Sequence, residues 1–310
     1  MPKTESPTPS LAVVTGATAG LGLETARGLV KAGYRVIIAG RNADKGELAC
    51  RSIRQHDAAA AVEFALLDLD SLDSVRSFAA TLRQREHALA RLINNAGLMA
   101  LPRRELTADG FERQLGVNYL GHFLLTSLLL PLLSAHSRLP GHENDPARVV
   151  QLSSLAHRSG RIEFDDLDGA RRYDPWRAYR QSKLAMLLFA QALAKRSVDH
   201  GWDIVSVAAH PGLSRTALFD HGVKSRPLAG TIFKLLMPLL SQSAADGARP
   251  TLHAALAEGV HGGDYFGPNG FAETRGKPKH AHRSNAARDQ IVEDRLWAVS
   301  CELTGARWPD

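Results

Sequence analysis

The chain has 310 residues, of which 44% are hydrophobic and 23% are charged, and its formal net charge at pH 7 is +6. These proportions are ordinary for a globular protein and exclude intrinsic disorder, a collagen-like repeat and a coiled coil as descriptions of the whole chain. Cys50 and Cys301 are the only cysteines, which excludes a disulfide framework and a cysteine-based zinc site and fits a reducing compartment. We expect no bound metal.

The charge and hydropathy patterns limit the partners of the chain. The densest basic stretch, residues 274–288, comes without a nucleic-acid-binding motif and is better interpreted as a solvated surface segment. The longest apolar run, 123–133, is too short to span a bilayer, and a second run, 228–240, is interrupted by Lys234. Residues 1–10 are polar, lack the apolar core of a signal peptide and are predicted to form a disordered tail. We therefore expect a cytoplasmic protein with no membrane span and no nucleic-acid partner.

Short apolar runs alternate with helical patterns along the chain. Strands are predicted at residues 11–15, 34–40, 61–67, 90–97, 148–154, 203–210 and 262–267. Helices are predicted from the glycines after the first strand to residue 32 and at residues 43–56, 71–85, 108–134 and 175–198, with Asp174 as the N-cap of the last. Strands that are apolar on both faces and alternate with helices are typical of a parallel sheet built from right-handed βαβ units.

The expected architecture is a single α/β domain over residues 11–310. It is a doubly wound parallel sheet, or Rossmann fold, in a three-layer sandwich, with ligands at the carboxyl ends of the strands. Residues 213–240 contain apolar side chains such as Phe219 and Ile232 and are expected to form a substrate loop. Residues from about 268 to 310 are expected to form a C-terminal extension.

A glycine-rich turn, TGATAGLG, follows the first predicted strand and contains Gly16, Gly20 and Gly22. Glycine permits a tight turn and lets a pyrophosphate approach the backbone, and the following helix offers unpaired N–H groups to the phosphates. Such a turn is weak evidence alone, but its position after the first strand of a βαβ unit favours a dinucleotide site.

The end of the second predicted strand indicates which dinucleotide is bound. NAD sites normally have an acidic residue there that holds the adenine ribose, but this chain has Gly40 followed by Arg41. A guanidinium presents a planar fork of charged donors that suits a 2′-phosphate. The sequence therefore predicts NADP(H) rather than NAD(H), the alternative being that Arg41 is a surface residue at the start of a loop.

Tyr179 and Lys183 lie four residues apart in a predicted helix, which places them on one face. A free tyrosine has a pKa of about 10. An ammonium group held beside the phenol favours the phenolate and lowers that pKa, which would suit proton transfer at neutral pH. Because a Tyr-x-x-x-Lys pair is common by chance, its weight depends on the other motifs of the chain.

Those motifs occur in a characteristic order. After the glycine-rich turn come Asn94-Asn95-Ala96-Gly97, Asn118, Ser153-Ser154, Tyr179-x-x-x-Lys183 and Pro211-Gly212. This ordered set, from about residue 11 to residue 216, resembles the short-chain dehydrogenase/reductase family. The stretch SSLAH at residues 153–157 is also similar to the subgroup that includes the retinol dehydrogenases.

The resemblance implies a role for each position. Tyr179 would be the general acid or base, Lys183 would lower its pKa and hold the nicotinamide ribose, Ser154 would bind the substrate oxygen, and Asn118 would lie on a proton relay through water to Lys183. The implied cofactor-binding residues are Gly16, Thr18, Gly20, Leu21, Gly22, Arg41, Asp68, Leu69, Asn95, Ala96, Gly97, Tyr179, Lys183, Pro211, Gly212 and Thr216. Asn118 and Asp68 also have structural interpretations, as the site of a helix cap or kink and as an ordinary turn residue.

Spacing alone does not decide between Ser153 and Ser154. Neighbours on a strand face opposite ways, so only one of the two serines can face the cofactor. In the retinol dehydrogenase subgroup the second serine acts, and we therefore choose Ser154. The loop between Ser154 and Tyr179 contains Arg158 and Trp176 and is interpreted either as a solvated insert or as one wall of the substrate site.

The sequence thus predicts an NADP(H)-dependent oxidoreductase that transfers hydride between nicotinamide and a carbonyl or alcohol group of a medium-sized, hydrophobic substrate. One alternative is a catalytically silent NADP-binding regulatory protein. Another is a reductase of carbon–carbon double bonds, similar to the protochlorophyllide reductases, which depend on a cysteine near the pocket. The helix after Tyr179 carries apolar residues such as Leu187 and Phe189 on more than one face. That pattern favours a homodimer, or else an intrachain contact with residues 134–147.

Overall fold

The computed structural model describes residues 9–214 and 242–309. Its strands are β1 Leu11–Thr15, β2 Arg35–Gly40, β3 Val62–Leu66, β4 Arg91–Asn94, β5 Ala147–Leu152, β6 Ile204–Ala209, β7 Tyr265–Pro268 and β8 Pro278–His280. They form one sheet in the order β3-β2-β1-β4-β5-β6-β7-β8, in which β1 to β7 are parallel and β8 is antiparallel to β7. The predicted doubly wound parallel sheet is confirmed, and so is each of its seven predicted strands to within a few residues.

The longer helices of the described residues cover both faces of this sheet. They are α1 Gly20–Lys31, α2 Ala43–Arg54, α3 Leu72–Arg85, α4 Arg113–His136, α5 Pro175–His200, α6 Ala244–Leu256 and α7 Gln290–Thr304. The predicted cap of α5 is confirmed, because the Asp174 side chain accepts the N–H of Arg177. The sequence did not predict α6, whose interior Gly247 and Pro250 disfavour a helix in isolation. It forms against α1, where Gly28 leaves room for Leu252.

The hydrophobic core is divided by the sheet into two clusters. Along β1, Leu11 and Val13 belong to the cluster shared with α3, α4, α5 and α7, whereas Ala12 and Val14 belong to the cluster shared with α1, α2 and α6. Side chains that alternate in this way give a three-layer sandwich with both sheet faces buried.

Helix α4, Arg113–His136, begins later and ends slightly later than the predicted helix over residues 108–134. The apolar run 123–133 is part of a helix of 24 residues, which is long and apolar enough to cross a membrane by length and composition. However, 89% of its apolar window is buried inside the protein, as in a core helix. The first five residues of the predicted helix, 108–112, instead belong to a turn that is closed by an antiparallel bridge between Leu106 and Glu112.

The second apolar face of α5 is covered by the C-terminal residues of the same chain. Phe189 lies 6.0 Å from the ring of Trp297 and 6.2 Å from that of Trp308, and Phe123 of α4 joins the same aromatic cluster. The intrachain cover is therefore α7 and the residues after it, whereas the intrachain alternative to a homodimer named residues 134–147. This contact accounts for the apolar surface that favoured a homodimer, and the oligomeric state stays a prediction.

Two expectations fall largely outside the described residues. Residues 1–8 of the expected tail are not described. The backbone carbonyl of Ser10 accepts the N–H of Arg35, so the chain is already part of the sheet just before β1 begins. Residues 215–240 of the expected substrate loop, 213–240, are not described either, and the implied cofactor residue Thr216 lies among them.

Candidate active site

A cavity of about 710 Å³ opens at the carboxyl ends of the central strands. Of the sequence-predicted site residues that the structure describes, every one except Asn118 lines it, and Thr216 lies outside the described residues. The ligand position expected for a doubly wound sheet is therefore the position of this cavity. The lining also includes residues that the sequence analysis did not single out, among them Asn42, Lys45, Met99, Ala156 and Ser214.

The glycine-rich turn forms the floor of the cavity. Gly16 has a φ of +65°, and a Cβ atom at this position would lie 2.8 Å from the Cα atom of Ala96, so a larger residue would strain the turn and displace that backbone. Helix α1 begins at Gly20, and its N-cap residue Ala19 supplies no side-chain hydrogen bond to the first turn. The free N–H groups of that turn therefore border the cavity and suit a phosphate.

Two cations line the cavity beside the ends of β2 and β3. Arg41 and Lys45 are exposed, and neither has an ion-pair partner among the residues that the structure describes. Asn42 places Lys45 by accepting its backbone N–H at the start of α2, at 2.9 Å. The short spacing of a second cation after Arg41 is the sequence signal by which Lys45 could have been found.

Asp68 lines the cavity beyond β3 and also forms a turn. Its Oδ1 atom accepts the N–H of Asp70 at 3.1 Å, and its own N–H donates to the Ser74 hydroxyl at 3.0 Å. The adenine-contact and turn interpretations of Asp68 are therefore compatible, since the turn presents the carboxylate at the cavity wall.

Tyr179 and Lys183 lie on one face of α5 at the other end of the cavity, and both are nearly buried. The Lys183 ammonium donates to the carbonyl of Leu152 at 2.9 Å and lies 5.9 Å from the centre of the Tyr179 ring. Burial lowers the pKa of Lys183 to about 8. Burial also raises the pKa of Tyr179, and a hydrogen bond with the Ser154 side chain partly opposes this. The expected lowering of the Tyr179 pKa is thus not observed, because desolvation of the phenolate dominates.

Ser153 and Ser154 have different partners although both border the cavity. The Ser153 hydroxyl donates to the backbone carbonyl of Lys183 at 2.8 Å. The Ser154 hydroxyl lies beside the Tyr179 phenol, where it lowers the phenol's pKa, and it accepts the N–H of Ala156 at 3.2 Å as the cap of a short 3₁₀ turn, Leu155–Ser159. The structure thus brings Ser154, not Ser153, to the phenol.

Asn118 lies in a π-helical stretch of α4, Gly116–Leu120, and is fully buried. Its side-chain Oδ1 accepts the N–H of Leu98 at 2.6 Å, while Nδ2 donates to the Leu98 carbonyl at 2.9 Å and to the Ser182 hydroxyl at 2.8 Å. The side chain therefore joins the loop after β4 to α5. The implied place of Asn118 near Lys183 is seen in the structure, because a Cβ atom on Gly97 would lie 3.2 Å from Asn118 Oδ1 and 3.4 Å from Lys183 Nζ. The alternative of a helix cap or kink corresponds to the π-helical stretch that contains Asn118.

An apolar wall flanks the phenol of Tyr179. Met99 and Ala100 form a small cluster with Tyr179, and Ala156 packs against it. Trp176 lies edge-on to Tyr179, with the ring centres 6.1 Å apart. The segment between Ser154 and Tyr179 thus contributes one wall of the cavity, through Trp176 in the first turn of α5.

Polar contacts hold that wall in place. Gln114 accepts the N–H of Ala100 at 2.6 Å and donates to the hydroxyl of Tyr173 at 3.1 Å, and Tyr173 donates to the Leu101 carbonyl at 2.9 Å. Pro175, next to Trp176, accepts from the same Gln114 amide. Gln114 and Tyr173 lie in no motif, so no sequence signal identifies them.

Comparison with known proteins agrees with this geometry. The sequence profile of the "short chain dehydrogenase" family matches residues 10–226. The chain belongs to the short-chain dehydrogenase family. It is 43% identical to human retinol dehydrogenase 12 over 298 residues, which are 96% of this chain and 86% of that protein. The expected likeness to the retinol dehydrogenase subgroup is thereby confirmed.

Solved structures of the family extend the comparison. A crystal structure of an uncharacterised protein from Mycobacterium paratuberculosis is 39% identical, with a TM-score of 0.77 and 98% of both chains covered. The Pseudomonas aeruginosa RhlG/NADP active-site complex is 28% identical, with a TM-score of 0.63, and the match covers 84% of this chain and 94% of that one. The Rossmann architecture and a nicotinamide dinucleotide oxidoreductase are thus supported along most of the chain.

The family site of this chain contains no cysteine. Cys50 is buried in α2 and Cys301 lies in α7, and neither lines the cavity. Because these are the only cysteines of the chain, the interpretation as a cysteine-dependent reductase of carbon–carbon double bonds has no candidate residue.

Proposed function

We propose that this short-chain dehydrogenase is an NADP(H)-dependent oxidoreductase that interconverts a carbonyl and an alcohol on a medium-sized hydrophobic substrate. The observation that carries the proposal is one cavity with two chemically different ends. At one end the Ser154 and Tyr179 side chains lie together, and at the other Arg41 and Lys45 stand where an NAD site would have a carboxylate.

The described residues fit a nicotinamide dinucleotide. The uncapped first turn of α1 would hold the pyrophosphate, and Arg41 and Lys45 would pair with a 2′-phosphate. Among the described residues Lys183 donates to one acceptor, the Leu152 carbonyl, and an ammonium has three N–H groups, so it retains donors for the nicotinamide ribose. The bound dinucleotide would supply or accept the hydride. The NADP complex of the related RhlG supports the choice of cofactor without deciding it.

The two hydroxyl groups can perform the proton chemistry of carbonyl reduction. A phenol whose pKa is raised by burial stays protonated at neutral pH, so Tyr179 can donate its proton to the oxygen of a carbonyl. Ser154, which already contacts the phenol, can donate a hydrogen bond to the same oxygen as negative charge develops there. In the alcohol-oxidising direction, Tyr179 must first lose its proton, which its raised pKa makes harder at neutral pH.

The apolar wall of Met99, Ala156 and Trp176 supports a hydrophobic substrate, since such a pocket gains free energy from burying apolar surface. The complete set of Tyr179, Lys183, Ser154 and Asn118 argues against a catalytically silent protein.

The test is steady-state turnover of the purified protein on matched aldehydes, ketones and alcohols of increasing chain length, with NADPH and NADH side by side. We expect carbonyl reduction with NADPH, a higher kcat/KM for NADPH than for NADH, and a kcat/KM that rises with apolar chain length. Better use of NADH would contradict the cofactor assignment. Binding of NADPH without turnover on any member of the panel would favour the regulatory alternative.

A further inference from the structure

His122 is a fully buried side chain of α4 that joins the two halves of the site without lining the cavity. Its Nδ1 atom lies 2.9 Å from the backbone carbonyl oxygen of Asn118, one helical turn earlier. Its Nε2 atom lies 2.9 Å from the hydroxyl oxygen of Thr15, the last residue of β1. No motif in the sequence pointed to this residue.

The partners of Thr15 determine which nitrogen of His122 carries the proton. The Thr15 hydroxyl oxygen accepts the backbone N–H groups of Asn95 and Ala96, each at 2.9 Å. A hydroxyl group has two lone pairs and one hydrogen, so these two bonds leave Thr15 only its hydrogen to share with His122. The alternative acceptor, the Ile93 carbonyl, is farther away at 3.4 Å. Thr15 therefore donates to Nε2.

The proton of a neutral His122 must then be on Nδ1, where it is donated to the Asn118 carbonyl. A doubly protonated ring would set an N–H of His122 against the hydroxyl hydrogen of Thr15. Burial also lowers the pKa of His122 to about 4, so the ring is neutral over the range in which such enzymes work. Geometry and burial thus select the same single state of the ring.

We propose that His122, as the neutral Nδ1–H tautomer, is a positioning residue. It couples the π-helical stretch of α4 to the end of β1, where the glycine-rich turn begins. Towards α4 it fixes the direction of the Asn118 carbonyl inside the π-helical stretch, where the Asn118 side chain is already committed to Leu98 and Ser182. Towards β1 it holds the Thr15 hydroxyl that anchors Asn95 and Ala96 on the cavity wall. The kinetic consequences of this inference rest on the proposed function.

Substitutions can separate the two contacts of His122. His122→Asn keeps a donor at the position of Nδ1, because the Asn side-chain nitrogen and the His Nδ1 atom are each two bonds from Cβ. His122→Gln keeps an acceptor at the distance of Nε2, and His122→Phe keeps neither. Each contact is worth roughly one net hydrogen bond, or up to about tenfold in an equilibrium or rate.

The kinetic arm compares these three variants with the unsubstituted enzyme. We expect His122→Phe to lower kcat about tenfold and also to raise the KM for NADPH. His122→Asn should recover kcat but not KM, and His122→Gln should recover KM but not kcat. The proposal would be overturned if all three variants lost kcat equally and the loss paralleled a drop in melting temperature. That result would mean that His122 contributes only to packing.

The spectroscopic arm does not depend on activity. In histidine-¹⁵N-labelled protein, the signals missing from His122→Phe identify His122, and we expect them to show a protonated Nδ1, an unprotonated Nε2 and no titration between about pH 8 and pH 5.5, well above the pKa of the buried ring. A protonated Nε2, or an imidazolium at neutral pH, would refute the tautomer. If the protein has no turnover but has this tautomer, the proposed function fails and the assignment of His122 stands.

Discussion

Removing the hydroxyl of Ser154 should weaken catalysis far more than removing that of its neighbour. Ser154→Ala deletes one donor to the oxygen on which charge develops, and deleting a donor of this type costs about 2–4 kcal/mol of transition-state stabilisation. At about 1.4 kcal/mol per factor of ten, kcat/KM should fall by roughly 30- to 1000-fold. The variant also loses the hydrogen bond that lowers the pKa of Tyr179, so the phenol should become a still weaker acid.

Ser153→Ala is the matched control, because it removes the same group from the adjacent position. The lost bond is the one to the Lys183 carbonyl, at 2.8 Å. That carbonyl lies inside α5 and keeps its helical acceptor role, so the expected cost is about 1 kcal/mol of folding free energy. We expect kcat/KM of Ser153→Ala to change by less than about tenfold, within the range of one net hydrogen bond.

The assay is initial-rate carbonyl reduction with NADPH and one substrate for all variants, with thermal melting measured on the same preparations. Ser154→Thr keeps a hydroxyl and should retain more activity than Ser154→Ala. A large kinetic loss in Ser153→Ala combined with a small one in Ser154→Ala would refute the assignment. It would mean that the substrate oxygen approaches the other face of the strand end.

Three further predictions follow from the same geometry. Tyr179→Phe should lower turnover by roughly 10²-fold or more while NADPH binding, measured by fluorescence titration, is retained, and near-normal turnover would exclude Tyr179 as the acid. Arg41→Ala should raise the KM for NADPH by about ten- to a hundredfold and leave that for NADH nearly unchanged, and equal effects on both would exclude a 2′-phosphate contact. Burial lowers the pKa values of His122 and His157 from 6.5 to about 4. The unfolded chain therefore binds more protons in this range, and stability should be complete above about pH 6.5 and fall by up to about 3 kcal/mol per ring towards pH 4. Urea unfolding at pH 7.5 and pH 5 measures this slope, which should be smaller in His122→Phe.

The strands and their parallel arrangement could be predicted because their signal is local. A run such as LAVVT in β1 is apolar on both faces, and a strand of that composition is stable only between two layers of helices. Helices α6 and α7 were missed for different reasons. Helix α6 contains Gly247 and Pro250 and is formed by packing on α1. Helix α7, in contrast, does have a sequence signal, because it begins after Asp289, whose side chain caps its first turn.

The site was predictable where a residue type is needed for its own chemistry, as for Tyr179, Lys183 and the glycines of the first turn. It was not predictable where a residue acts through neighbours distant in sequence. Gln114 and Tyr173 hold the wall beside Trp176 through hydrogen bonds between residues far apart along the chain. The predicted direction of the Tyr179 pKa shift was wrong for the same reason. The sequence shows the nearby ammonium but not the burial, which raises the pKa.

Asn118 illustrates how a motif can identify a residue without identifying the atom that acts. The pattern correctly placed an asparagine close to Lys183, and a reader of the sequence would assign the role to its amide side chain. That amide, however, has a partner on both of its polar atoms, Leu98 on Oδ1 and Leu98 with Ser182 on Nδ2, so it is occupied in holding α4, α5 and the loop after β4 together. The backbone carbonyl is the Asn118 group whose direction is set separately, by His122. A proton relay that used this main-chain carbonyl would depend for its geometry on a histidine that no motif contains.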